Sequence, residues 1–152
     1  QNREVPPLRY EYVYQLKRDF PELTIILNGG VTDNDAIAGH LAQVDGVMVG
    51  REAYHNPMLL AQWDGRFYAD ERPAPDHAEL VSRLQAYAAQ QLANGRGTHM
   101  RHLARHYLGL MHGLPGARQW RRMLSDARLL QANRPELITE AWQAMRHEAA
   151  SR

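Results

Sequence analysis

Tyr10, Val13, Tyr14 and Leu16 recur at helical spacing among polar residues, and Phe20-Pro21 ends the run. The pattern predicts a helix over 10–19, preceded by a polar loop (1–9) that contains Pro6-Pro7. Thr24-Ile25-Ile26-Leu27 is apolar and β-branched without alternation, the pattern of a strand buried on both faces in a parallel sheet. Asn28-Gly29-Gly30 stops it. Thr32, with Asp35 three residues on, resembles a capping box and opens a helix through about Ala42. Gly46-Val47-Met48-Val49 reads as a second buried strand, stopped by Gly50-Arg51, and Asn56-Pro57 starts a short helix with Pro57 in its first turn. Helix, strand, helix, strand, helix is the grammar of an α/β fold with crossover helices. Two parallel strands do not make a sheet that stands alone, so the pattern predicts neighbouring strands upstream.

The character changes at Asp70-Glu71-Arg72-Pro73-Ala74-Pro75-Asp76, a polar, proline-containing linker. Beyond it every pattern is helical. Residues 77–93 place Leu80, Leu84, Tyr87 and Leu92 on one stripe and end at Asn94-Gly95. A helix is predicted over 98–112, with Met100, Leu103, Tyr107, Leu108 and Met111 apolar, and Gly113-Leu114-Pro115-Gly116 breaks it. Two more helices are predicted over 117–125 and 136–148, with Trp120 and Trp142 as core anchors. The expected division is 1–72 for the α/β part and 73–152 for a helical bundle.

Composition narrows the picture little. The chain of 152 residues is 44% hydrophobic, with net charge +1, which suits an ordinary soluble domain and excludes a polybasic chain. No apolar run approaches the ~18 residues of a membrane span, and the start lacks the pattern of a secretory signal. Gln1-Asn2-Arg3 without an initiator Met predicts a truncated or processed start. The absence of cysteine removes disulfides, thiolate metal sites and a cysteine nucleophile from this chain, and fits a cytoplasmic protein.

Charge distribution says more. Residues 95–128 hold Arg96, Arg101, Arg105, Arg118, Arg121, Arg122 and Arg128 against the single acid Asp126, a net +6, so the remainder is acidic. All seven are arginines, which fork onto phosphates and stack on bases. Arg118, Arg121 and Arg122 share one helical face. A basic face on an otherwise acidic chain points to nucleic acid, with a solvated helix surface as the alternative. The strand-end turns at Gly29-Gly30 and Gly50 let backbone approach a ligand closely and suit a phosphate, or are tight turns only. His99, His102 and His106 share a helical face, but Arg101 and Arg105 beside them would repel a dication, so no metal is expected. Glu11, Glu52 and Asp64 show no paired-carboxylate spacing, and no G-x-S-x-G turn occurs.

Five stretches carry a resemblance: Asn2-Arg3-Glu4-Val5-Pro6-Pro7-Leu8; Leu16-Lys17-Arg18-Asp19-Phe20-Pro21; Leu27-Asn28-Gly29-Gly30; residues 45–54 (DGVMVGREAY); and residues 113–122 (GLPGARQWRR). In order and spacing they resemble the A-type tRNA-dihydrouridine synthases across nearly the whole chain. The resemblance implies the last two β/α units of a flavin-binding TIM barrel, then a helical tRNA-binding domain. It implies FMN as hydride carrier, NADPH as hydride source, and reduction of uridines 20 and 20a of the tRNA D-loop to 5,6-dihydrouridine. Matched residue by residue, Asn28, Gly29 and Gly30 fall on the family's FMN-phosphate turn, and Gly50 and Arg51 on its second. Arg3, Arg118 and Arg121 fall on tRNA-contact positions, with Arg122 beside them. The implied protein is a monomer without metal or membrane attachment. The family's cysteine proton donor and its flavin-contacting Lys and His belong upstream of Gln1. No catalytic residue is therefore expected in this chain, and by itself it is expected to be inactive. Two alternatives are a different FMN- or phosphate-binding barrel enzyme acting on a small molecule, and a non-enzymatic RNA-binding module. The arginine face argues against the first, and unpaired strand edges against the second.

Overall fold

The computed structural model describes residues 7–151. The chain forms two compact units, residues 1–53 and 54–152.

In the first unit, α1 (Tyr10–Asp19), β1 (Ile26–Asn28), α2 (Asn34–Leu41) and β2 (Gly46–Met48) follow in order. The strands pair in parallel, with Ile26 opposite Gly46, Leu27 opposite Val47 and Asn28 opposite Met48. The expected first strand thus begins two residues late, and it is not buried on both faces. Leu27 is buried, with Val31, Ile37 and Val44, whereas Ile26 is 63% and Met48 47% exposed. Period-2 geometry sends Leu27 to one face and Ile26 to the other, and among the described residues nothing covers the second face.

The expected cap of α2 also shifts. Asp33, in extended backbone, is the N-cap and its Oδ1 accepts from Ala36 N at 2.7 Å, so the helix starts at Asn34. Asp45 ties the unit together. It accepts from Ile25 N and from Lys17 Nζ, each at 2.8 Å, and Lys17 also donates to the carbonyls of Pro21 and Leu23 at 2.8 Å. The Ile25 amide, then Lys17, hold the Asp45 carboxyl below its usual range. Helices α1 and α2 meet through His40, which is 8% exposed. Tyr14 Oη lies 2.6 Å from His40 Nδ1, and the Tyr10 ring meets the imidazole edge-on at 4.5 Å.

Helix α3 (Arg51–His55) leads into a 3₁₀ turn (Pro57–Gln62) with Pro57 at its start, and then into α4 (Trp63–Phe67). The second unit continues with α5 (His77–Ala93), α6 (Met100–Ala104), α7 (Ala117–Ser125), α8 (Ala127–Gln131) and α9 (Leu137–Ala150). Its core holds Met100, Met111, Trp120, Leu124, Ile138 and Met145. Met58 packs on this core, and a Cβ on Gly109 would lie 2.4 Å from the His55 carbonyl oxygen. His55 and Met58 thus belong with the helical unit, which begins at Tyr54, ahead of the polar stretch 70–76.

Several expectations change here. The helix over 98–112 stops at Ala104 and gives way to turns through residue 114. Bonds of i→i+3 type replace the helix, from His106 N to Leu103 O (2.9 Å), Tyr107 N to Ala104 O (2.9 Å) and Leu110 N to Tyr107 O (3.1 Å). They draw Gly109 against the His55 backbone, an approach a regular helix with a side chain there would forbid. On α5 the buried positions are Val81 and Ala88, while Tyr87 is 48% exposed and lies off the core stripe. Trp120 is fully buried as expected, but Trp142 is only partly buried, stacked on His77 and beneath Arg146. Helix α8 has no counterpart in the sequence reading. Asp126 caps it by accepting from Arg128 N at 2.8 Å.

Candidate phosphate turns and a basic helical face

Parallel pairing in register brings the two glycine turns together. Asn28 and Met48 are opposite partners, so Asn28-Gly29-Gly30 and Gly50-Arg51 leave the sheet at the same, C-terminal end of its strands. Gly29 (φ 127°) and Gly30 (φ 64°) both take the left-handed side of the backbone map. At Gly30 a Cβ would fall 2.6 Å from Leu8 Cδ1 and 3.1 Å from Tyr10 Oη. The Tyr10 hydroxyl donates to Gly29 O at 2.7 Å and pins the turn from below. Sequence reasoning missed Tyr10 and Leu8, and their only signal was a tyrosine at the start of α1. Asn28, Gly30, Gly50 and Arg51 are all exposed. The C-terminal end of the strands therefore offers backbone N–H groups, an amide and a guanidinium, a set suited to an anion.

The second candidate lies on α7. Ala117, Trp120 and Leu124 form its buried face, leaving Arg118, Arg121, Arg122 and Ser125 on the exposed one. Gly116 (φ 77°) sets the start of the helix, and a Cβ there would lie 2.4 Å from Met145 O of α9. Arg118 and Arg122 line a surface cleft of about 320 Å³ with Gln119 and Glu148.

Pairing separates these arginines from the others. Arg72, Arg83 and Arg134 form ion pairs with Asp70, Glu79 and Glu140. Among the described residues, none of the seven arginines of 95–128 forms one. Arg3 lies outside the described residues.

The histidines sit among these cations. Arg101 Nε donates to His102 Nε2 at 3.2 Å, and Arg105 Nε to His106 Nε2 at 3.1 Å. Asn133, at φ 51°, closes the start of α6: its Oδ1 accepts from Met100 N at 2.9 Å and its Nδ2 lies 2.8 Å from His99 Nδ1. Partial desolvation, then the charge of Arg101, lowers the His102 pKa below its usual value. Among the described residues, no group of His, Asp or Glu is placed to hold a metal ion.

The fold defines an α/β unit with both glycine turns at one end of its sheet, and an arginine-rich helical unit. The chain belongs to the dihydrouridine synthase family, whose model matches residues 1–148. It is 47% identical to the tRNA-dihydrouridine(20/20a) synthase of Synechocystis sp. over 146 residues, 96% of this chain and 43% of that protein. It is 50% identical to the synthase of the same name from Pseudomonas aeruginosa over 125 residues (82% and 37%). With the one from Escherichia coli K12 it shares 48% over 126 residues (83% and 36%). The chain thus spans about two fifths of the length of these relatives.

Proposed function

We propose that this chain is the C-terminal part of an FMN-dependent tRNA-dihydrouridine synthase that reduces D-loop uridines 20 and 20a with NADPH. Residues 1–72 serve as the last two β/α units of its barrel, and residues 73–152 as its helical tRNA-binding domain. The observation that carries the reading is the parallel register, which brings Asn28, Gly29 and Gly30 to the same end of the sheet as Gly50 and Arg51. Side-chain-free backbone at Gly29, Gly30 and Gly50, with Arg51 alongside, fits the dianionic phosphate of FMN. The exposed apolar face of Ile26 and Met48 fits a sheet whose remaining strands lie elsewhere in the whole protein.

In this reading the flavin, when bound, supplies the hydride. The residues of this chain bind and orient. The two turns fix the phosphate end of the cofactor, and Arg118, Arg121 and Arg122 hold tRNA backbone phosphates so that one uridine is presented. The proton donor is assigned outside residues 1–152, because the chain has no cysteine. Among the described residues no helix is long and apolar enough to cross a membrane.

The test uses the natural full-length product, an unmodified tRNA transcript and NADPH, with dihydrouridine mapped by mass spectrometry. Reduction confined to positions 20 and 20a supports the reading. No reduction, or reduction at other positions, refutes it. Arg118→Ala/Arg121→Ala is expected to weaken tRNA binding with bound flavin unchanged, and Arg51→Ala to lower flavin retention.

A further inference from the structure

The sequence Arg101-His102-Leu103-Ala104-Arg105-His106 repeats an Arg-His pair after one helical turn, and the structure gives both pairs the same geometry. Each arginine spends its Nε–H on the imidazole that follows it. That leaves Nη1 and Nη2, with four N–H groups, without a protein partner among the described residues. Both arginines are exposed, and neither forms an ion pair there.

Tautomers decide how firmly each is held. For His106 the contacts are mutually consistent. Nε2 accepts from Arg105, so Nδ1 carries the proton and donates to Tyr54 Oη at 3.2 Å. The Tyr54 hydroxyl in turn faces Arg105 O, a long contact at 3.5 Å. His102 is shared: His99 N approaches its Nδ1 at 3.3 Å while Arg101 approaches its Nε2. A neutral imidazole has one unprotonated nitrogen, so it accepts from one of them at a time. Arg105 is therefore the better fixed of the two.

A cleft of about 390 Å³ runs from Arg101, one member of this pair, to α7. It is lined by His99 and Arg101, by Ser125 of α7, and by Leu130, Gln131 and Asn133 at α8. Ser125 stands four residues beyond Arg121 on the same exposed face, so the α7 face runs into the α6–α8 cleft without a break.

We propose that Arg101 and Arg105, with the cleft between α6 and α8, form a second phosphate-binding station for an RNA strand, continuous with Arg118, Arg121 and Arg122. The occupant is an RNA backbone rather than an acidic protein segment. Planar forks held by Nε present paired N–H groups to single phosphates, and a strand crossing from α7 meets them next. The station rests on the tRNA reading above and extends it to residues that reading does not use.

The test is tRNA binding by the natural full-length protein, read by fluorescence anisotropy over a salt series. Arg101→Ala/Arg105→Ala is expected to lower affinity roughly tenfold near physiological salt and to make the log–log salt slope shallower by about one to two. Arg101→Lys/Arg105→Lys keeps the charges and should keep the slope while losing affinity. Arg83→Ala, which removes an arginine already paired with Glu79, should change neither. Unchanged affinity and slope in the Ala pair, with Arg118→Ala/Arg121→Ala still weakened, overturns the station and leaves the tRNA reading standing. A wild-type protein without salt-dependent tRNA binding overturns both. Weaker binding at an unchanged slope overturns the phosphate assignment, because lost packing does not alter counterion release. Thermal midpoints matched to wild type confirm that the variants fold.

Discussion

The indole Nε1 of Trp120 donates to the carbonyl of Tyr107 at 2.9 Å, and both residues are buried. That bond ties α7 to the turns that replace the end of α6. It belongs to the turn geometry beyond Ala104, where the Tyr107 carbonyl serves Trp120 and Leu110 rather than a residue four positions on. Trp120→Phe is expected to cost about 2 kcal/mol, from the lost bond and a small cavity, and Trp120→Ala about 3–5 kcal/mol. Urea unfolding measures both. A loss under 0.5 kcal/mol for Trp120→Ala contradicts a central place in the core.

Gly113 and Gly116 share nearly the same backbone, at φ 75° and 77°, but not the same surroundings. Nothing lies within 4 Å of a Cβ on Gly113, while one on Gly116 would meet the Met145 backbone at 2.4 Å. Gly113→Ala should cost about 1 kcal/mol of conformational strain, and Gly116→Ala roughly 2–4 kcal/mol because α9 must also move. Equal losses in paired melts would show that α7 and α9 are not packed as described.

Most of this fold was legible in advance. Helix α1, the start of the 3₁₀ turn at Pro57, α5 and α7 came from periodicity, caps and breakers that act locally. What escaped depends on contacts distant in sequence. Gly109 is read as one more small residue until the His55 backbone arrives beside it. Tyr87 fits the helical stripe by spacing but falls past its edge, because Val81 and Ala88 centre the buried face. The glycine turns were visible as glycines, while Tyr10 beneath them was not, because a hydroxyl reaching Gly29 across 19 residues leaves no periodic trace. The Arg-His pairs were noticed as charge and as histidine, and only their geometry joined the two.

Lowered pKa values at Asp45, Asp70 and His102 make the stability of the chain depend on pH. The Arg72 side chain and then its amide hold the Asp70 carboxyl down at about 2, from an ordinary 3.8. A lowered carboxylate stabilises the fold above 3.8, and that stabilisation is lost as pH falls toward 2. His102 is lowered from 6.5, so the fold favours its neutral form, and stability declines as pH drops below 6.5. Denaturant midpoints measured across pH should therefore show two separate declines. Asp70→Asn is expected to reduce the acid one, to which Asp45 also contributes, and His102→Gln to flatten the one near neutrality. A midpoint indifferent to His102→Gln below pH 6.5 rules out that histidine as a contributor.

The bond between Tyr14 and His40 holds α1 against α2 at 2.6 Å, and α1 has no fully buried residue of its own. Tyr14→Phe should destabilise the attachment by about 1–2 kcal/mol. Amide exchange in α1 should then quicken by roughly five- to thirtyfold, while exchange in α9 keeps its rate. Uniform acceleration across both units would instead mean that they unfold as one.

The Nε–H of Arg105 is held by His106, which Tyr54 holds in turn, and this has a thermodynamic consequence. An arginine free in solvent must give up its rotamer freedom when it meets an anion, at about 0.5–1.5 kcal/mol for a side chain of this kind. For the RNA phosphate proposed at Arg105, part of that ordering is met by the bond to His106 while the chain folds, so less rotational disorder is left to extinguish on binding.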